Sequence, residues 1–135
     1  KVNLNSYIAK NSTRSKTIIF HNSKNIKKIK VLKKNGIKLI SFKINKNKYF
    51  DLREMLKKIY SLGIHTLLIE CGSILTNEMV SKNLFNEFYF FQSNKKLINK
   101  FKINVFNIKT KLNRQFKNKY YVNTYLDKDK LMHYY

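Results

Sequence analysis

From Thr17 onward the chain alternates short apolar runs with stretches in which apolar residues recur every three or four positions. This is the pattern of strands and helices in a parallel α/β sheet. Thr17 to Phe20 is the first strand expected. Ser23 then offers a helix N-cap, Ile26, Ile29 and Leu32 follow at helical spacing, and Gly36 stands where a left-handed C-terminal cap belongs. Ile37 to Phe42 is the next strand, and Asn45 to Lys48 a polar connector.

Asp51 and Glu54 form the D-x-x-E version of a capping box. In the helix they open, Leu52, Met55, Leu56, Ile59 and Leu62 share one face, while Arg53, Lys57 and Lys58 lie elsewhere. Such a helix is expected to pack on a sheet. Gly63 ends it, and Gly63-Ile64 repeats the exit chemistry of Gly36-Ile37. Thr66 to Glu70 is apolar without alternation, as in a central strand covered on both faces. A helix over about Leu75 to Lys82 and a strand over Glu87 to Phe91 follow. Beyond Gln92, Ile103, Val105, Phe106 and Ile108, then Tyr120, Tyr121, Val122, Tyr125 and Leu126, read as antiparallel strands between basic turns. The expected fold class is α/β: a mostly parallel sheet with flanking helices and an antiparallel C-terminal edge, in one domain over 1–135 with a β-rich segment at 100–127.

A length of 135 residues with 43% hydrophobic content suits one domain with a real core and excludes a fully disordered chain. The longest apolar runs, such as Leu67 to Ile69 and Phe88 to Phe91, fall far short of the roughly 20 residues of a membrane-spanning helix, and no signal-peptide core opens the chain. The expectation is a cytoplasmic protein without a membrane partner. The formal charge of +22 points first to nucleic acid. Yet almost all of the basic residues are Lys, accompanied by abundant Asn and Ile and no Pro or Trp, which is the imprint of AT-rich codons. A dedicated phosphate or base reader uses more of the guanidinium fork. The balance therefore favours a solvated basic surface over a nucleic-acid face. Cys71 is the single cysteine, so an internal disulfide and a Cys-rich zinc cluster are excluded. His21, His65 and His133 show no metal spacing, and no metal site is expected. The chain opens at Lys1 in a stretch that reads like the middle of a protein, so a fragment is expected.

The stretch richest in chemistry is Gly63-Ile64-His65-Thr66-Leu67-Leu68-Ile69-Glu70-Cys71-Gly72-Ser73-Ile74-Leu75. It sets an acid and a glycine at the carboxyl end of an expected strand, directly before a helix, where open α/β sheets bind ligands. Gly72 permits close approach of a bound group, and the free N–H groups of the helix suit a phosphate. A strand-end acid can accept hydrogen bonds from ribose hydroxyls or pyrimidine N–H groups.

The helix D-L-x-x-x-L-x-x-I-x-x-x-G-I, the strand T-L-L-I-E, the turn C-G-S-x-L and the run L-F-N-E-F-Y-F-F together resemble the reductase domain of the riboflavin-biosynthesis bifunctional deaminase/reductase. The resemblance spans about Thr17 to Phe91 and is best between Asp51 and Phe91. It implies a dihydrofolate-reductase-like fold and NADPH as cofactor. The reaction implied is reduction of the ribosyl side chain of 5-amino-6-(5-phosphoribosylamino)uracil to the ribityl form. By the resemblance, Glu70 contacts this small-molecule substrate, and Gly72, Ser73, Ile74, Leu75, Thr76, Asn77 and Glu78 hold the cofactor; no side chain of this chain is assigned as catalytic. A homodimer and an N-terminal zinc deaminase domain in the full-length protein are also implied. The H-x-E and P-C-x-x-C deaminase signature is itself missing from these residues. Three positions depart from the family pattern: Cys71 replaces the first glycine of a pair, Asn86 stands for an Asp, and Ser93-Asn94-Lys95-Lys96-Leu97 lacks the glycine of the family's turn.

Two readings of other classes stand beside this one. The basic surface could make the chain a nonspecific nucleic-acid-binding module, and the departures at Cys71 and Asn86 fit a degenerate, noncatalytic domain. Residue by residue, the plainer roles are a solvated strand end for Glu70, a small packing residue for Cys71, a covered strand for Phe88 to Phe91, and an edge or subunit contact for Tyr120, Tyr121, Tyr125, Tyr134 and Tyr135.

Overall fold

The computed structural model describes residues 2–12, 16–94, 105–125 and 128–135. The fold is mixed α/β, with one parallel and one antiparallel sheet. The chain forms two compact units, Lys1–Gly63 and Ile64–Tyr135.

The first unit is built around a β-α-β crossover. A short helix α1 (Tyr7–Lys10) precedes strand β1 (Ile18–His21), helix α2 (Ile26–Lys34) and strand β2 (Lys38–Ser41), and β1 pairs β2 in parallel with Ile19 opposite Leu39. The N-cap of α2 is Asn25, not Ser23: the Asn25 side chain accepts from Lys28 N at 3.0 Å, and Ser23 Oγ accepts from Asn25 N at 3.2 Å. Gly36 ends α2 as expected, at φ +79°. Gly36 N donates to Lys33 O at 2.9 Å and Ile37 N to Leu32 O at 3.2 Å, which is the Schellman arrangement. Ile37 and Leu32 are both buried with Ala9, and Val2, Leu4, Ile19 and Leu39 pack around them. Ser12, also buried, donates to the carbonyls of Ala9 and Asn35, tying α1 to the end of α2.

Helix α3 (Leu52–Tyr60) forms where its capping signal predicts. Asp51 Oδ1 accepts from Arg53 N at 2.9 Å and Glu54 N at 3.2 Å, while Glu54 pairs with Lys57 at 2.7 Å. Its expected apolar face is the covered one, with Leu52, Met55, Leu56 and Ile59 half-buried and Arg53, Lys57 and Lys58 exposed, although no residue of α3 is fully buried. Gly63, at φ +81°, terminates this turn.

In the second unit, helix α4 (Ser73–Ser81), strand β3 (Phe88–Gln92), helix α5 (Val105–Gln115), strand β4 (Lys119–Val122) and strand β5 (Lys130–Tyr134) follow in order. The strands lie antiparallel in the order β3-β5-β4. The residues from Val105 to Ile108 are helical rather than strand, because Ile108, Leu112 and Phe116 recur every four residues and line one core. That core contains Val80, Ile108, Leu112, Met132 and Tyr134, flanked by Phe85, Phe88, Phe90 and Phe116. Strand β3 is therefore an edge strand with one covered face: Phe88 and Phe90 turn to the core, while Tyr89 and Phe91 are exposed. The central strand is β5, with Leu131 to Tyr134 buried in succession. Tyr134 thus belongs to the core rather than to an edge or subunit contact, and Leu126 lies outside the described residues. Asn83, at φ +51°, ends α4 as Gly36 ends α2, with Asn83 N donating to Val80 O and Leu84 N to Met79 O.

The segment from Thr66 to Glu70 is not a strand: among the described residues it pairs with no other strand, and its side chains are exposed, Leu68 at 80%. An apolar run becomes a central strand only where neighbours on both sides take up its N–H and C=O groups. None of the described helices is long and apolar enough to cross a membrane.

Candidate functional site

The residues between Glu70 and Thr76 build an open helix start. Gly72 is the N-cap of α4, in an extended conformation at φ −75° and ψ 172°, and no side chain caps the helix. The first bond of the helix runs from Thr76 N to Gly72 O at 3.0 Å. The N–H groups of Ser73, Ile74 and Leu75 thus have no acceptor within the helix, and the positive end of its dipole lies with them. A Cβ built on Gly72 would meet none of the described residues within 4 Å, so a ligand has room to approach the turn at this position. Backbone donors beside open space fit an anionic group such as a cofactor phosphate.

Glu70 lies within about 7 Å of Gly72 by chain length. Its carboxylate is exposed and makes no hydrogen bond or ion pair with the described residues, leaving both oxygens able to accept from a ligand. Glu70 leads into α4 from an exposed, unpaired segment and not from the end of a buried strand.

The predicted cofactor run does not form a single cluster. Gly72, Ser73, Ile74 and Leu75 make the open first turn, with Ile74 exposed at 74% and Leu75 at 38%. Thr76 turns its hydroxyl back on the turn, within 3.1 Å of both Cys71 Sγ and Gly72 O. Asn77 is half-buried in the next turn. Glu78 stands about 9 Å along the axis from Gly72, and its carboxylate pairs with Lys82 at 2.7 Å. Cys71 is a free, exposed thiol rather than a packing residue.

A second polar cluster, which sequence reading missed, occupies the face of the antiparallel sheet away from the helices. His133 Nε2 lies 3.1 Å from Glu87 Oε2, and the Tyr89 hydroxyl donates to the same oxygen at 3.2 Å. Burial first, then the hydrogen bond to Glu87 and its charge, raise the Tyr89 phenol above its ordinary value. The signal that could have found this cluster is the alternation of Glu87, Tyr89 and Phe91 against the last strand, but the pairing register is invisible without β5. Among the described residues, no group of three His, Cys, Asp or Glu is placed to hold a metal ion.

Comparison with curated proteins and with solved structures finds no match. The model of the RibD C-terminal domain family matches residues 1–97. The matched span includes the open start of α4, Glu70 before it and Cys71 and Asn86 at two of the departing positions. With 97 of its 135 residues matched, the chain belongs to the RibD C-terminal domain family, the reductase family of riboflavin biosynthesis.

Proposed function

We propose that the chain is part of an NADPH-dependent oxidoreductase that reduces the ribosyl side chain of 5-amino-6-(5-phosphoribosylamino)uracil to the ribityl form. The observation that carries this reading is the uncapped, exposed N-terminus of α4 directly after an unpaired carboxylate, in a chain of this reductase family. NADPH, when bound, supplies the hydride that converts C1 of the sugar and opens it to the ribityl chain. The protein's part is to hold and orient. The N–H groups of Ser73, Ile74 and Leu75 would receive a cofactor phosphate over the open side of Gly72, with the Ile74 side chain flanking it. Glu70 would accept hydrogen bonds from ribose hydroxyls or pyrimidine N–H groups, fixing the substrate beside the cofactor. A cytoplasmic homodimer carrying an N-terminal zinc deaminase domain in the full-length protein completes the proposal.

The test is turnover by the full-length protein, followed as loss of NADPH absorbance with the phosphoribosylaminopyrimidine as substrate. Glu70→Ala is expected to raise KM for the pyrimidine by about tenfold or more, the scale of one or two hydrogen bonds to a charged group. Unchanged KM and kcat in Glu70→Ala would remove that residue from the site, and absence of NADPH binding by the wild-type protein would overturn the assignment as a whole.

A further inference from the structure

Thr76 is the first residue of α4 whose N–H donates a helical bond, to Gly72 O, and its side chain reaches back across the turn that opens the helix. Its Oγ1 lies 3.1 Å from Gly72 O, 3.1 Å from Cys71 Sγ and 3.5 Å from Cys71 O. A threonine hydroxyl has one proton to give and can accept in return. Gly72 O, at the shorter of the two carbonyl distances, takes that proton and also accepts from Thr76 N. The hydroxyl oxygen is then free to accept from the Cys71 thiol. A relay results in which Cys71 Sγ donates to Thr76 Oγ1 and Thr76 Oγ1 donates to Gly72 O.

A threonine bonded to the carbonyl four residues earlier is ordinary helix behaviour. The bond to Cys71 is not part of that habit, because it crosses the N-cap and reaches the residue outside the helix. It ties the two residues preceding α4 to its first turn and leaves the N–H groups of Ser73 to Leu75 uncapped. Gly72 has the widest backbone freedom of any residue type. The relay, together with the bond from Thr76 N to the same Gly72 carbonyl, restricts it.

The geometry points to Thr76 as a positioning residue: through Cys71 and Gly72 it holds the turn in the one conformation that presents the N–H groups of α4 to an anionic ligand, without touching that ligand itself. This rests on the cofactor reading given above. It also gives a role to the cysteine that replaces a family glycine at position 71, since a glycine has no side chain to join the relay.

The experiment uses the full-length protein as wild type, Thr76→Ser and Thr76→Val, with two readouts: the alkylation rate of Cys71 by iodoacetamide, followed on its peptide by mass, and the Kd of NADPH from nicotinamide fluorescence. Thr76→Val removes the hydroxyl at nearly constant volume. It is expected to speed alkylation of Cys71 at least threefold, because the sulfur loses its partner, and to weaken NADPH by about tenfold, the order of cost of fixing one backbone residue. Thr76→Ser keeps the hydroxyl and is expected to stay within twofold of wild type in both. Unchanged alkylation in Thr76→Val, faster alkylation with unchanged Kd, or equal damage in Thr76→Ser would each overturn the proposal. If wild type fails to bind NADPH, the cofactor reading falls, and the alkylation rates alone then uphold or overturn the hold of Thr76 on the turn.

Discussion

The imidazole of His133 lies face to face on the ring of Tyr89, with centroids 4.2 Å apart and planes 3° from parallel. The two are directly opposite each other across the β3–β5 ladder, and Tyr120 on β4 meets the same imidazole edge-on from the other side. His133 is only 8% exposed, and its Nδ1 is buried with no hydrogen-bond partner among the described residues. The ring therefore contributes packing, while one of its nitrogens carries a desolvation cost. His133→Ala is expected to lose about 2–4 kcal/mol, as for other large-to-small changes in a central strand. His133→Phe keeps the stack, discards the orphaned nitrogen and gives up the Glu87 contact, so a loss below about 1 kcal/mol is expected. Urea unfolding of the three proteins checks the contrast; equal losses would mean that the Glu87 bond, not the stack, holds β5.

Tyr134, fully buried in β5, gives the fold a dependence on alkaline pH. Burial first, and then the nearby Tyr121, push its phenol above the ordinary value of 10.0. The folded state thus prefers the neutral phenol more strongly than the unfolded chain does. Its contribution is complete below pH 10 and is lost as pH rises from there through the raised folded value. Tyr134→Phe, which keeps the ring and gives up a long 3.4 Å bond to Asn113, is expected to unfold at higher pH than wild type in an alkaline titration followed by circular dichroism.

Gly36 and Gly72 both border helices, yet substitution is expected to act on different properties. Gly36 sits at φ +79°, where an L residue costs about 1–2 kcal/mol, so Gly36→Ala is expected to lower stability by that amount. Gly72 has φ −75° and open space over it. Gly72→Ala is expected to cost less than about 1 kcal/mol, while its methyl group intrudes on the turn and weakens NADPH binding. Thermal melts and a cofactor titration on both variants separate the two effects.

The core of the second unit separates just as sharply from its exposed helix face. Leu112 is fully buried beside Val80 and Tyr134, whereas Ile74 is 74% exposed. Leu112→Ala is expected to cost about 2–5 kcal/mol and Ile74→Ala no more than about 0.5 kcal/mol, as read from denaturant midpoints.

Local chemistry was readable from residue order wherever the decisive contacts lie within a few positions. The Schellman end at Gly36, the Asp51 cap and the glycine exit at Gly63 appear where their residues announce them, while α4 opens at Ser73, two residues ahead of the Leu75 expected. The β1-α2-β2 crossover was legible for the same reason, since its strands are short apolar runs on either side of a capped helix. Asn83 closes α4 with the same geometry as a glycine, a substitution that sequence pattern alone signals weakly.

Pairing was not readable, because it depends on residues far apart in the chain. Thr66 to Glu70 has the composition of a central strand but lacks neighbours, while Leu131 to Tyr134, mixed in character, becomes the buried middle strand because β3 and β4 flank it. The stacking of His133 on Tyr89 and the bond to Glu87 follow from that register and could not be inferred without it. Residue order alone was thus enough for the glycine ends at Gly36 and Gly63, the Asp51 cap, the family and the residues from Glu70 to Glu78 as a candidate site. Tertiary structure alone decided which apolar runs are strands, which tyrosine is core, and that Thr76 turns back on Cys71, because hydrogen-bond partners and burial belong to positions in space and not to any one residue's type.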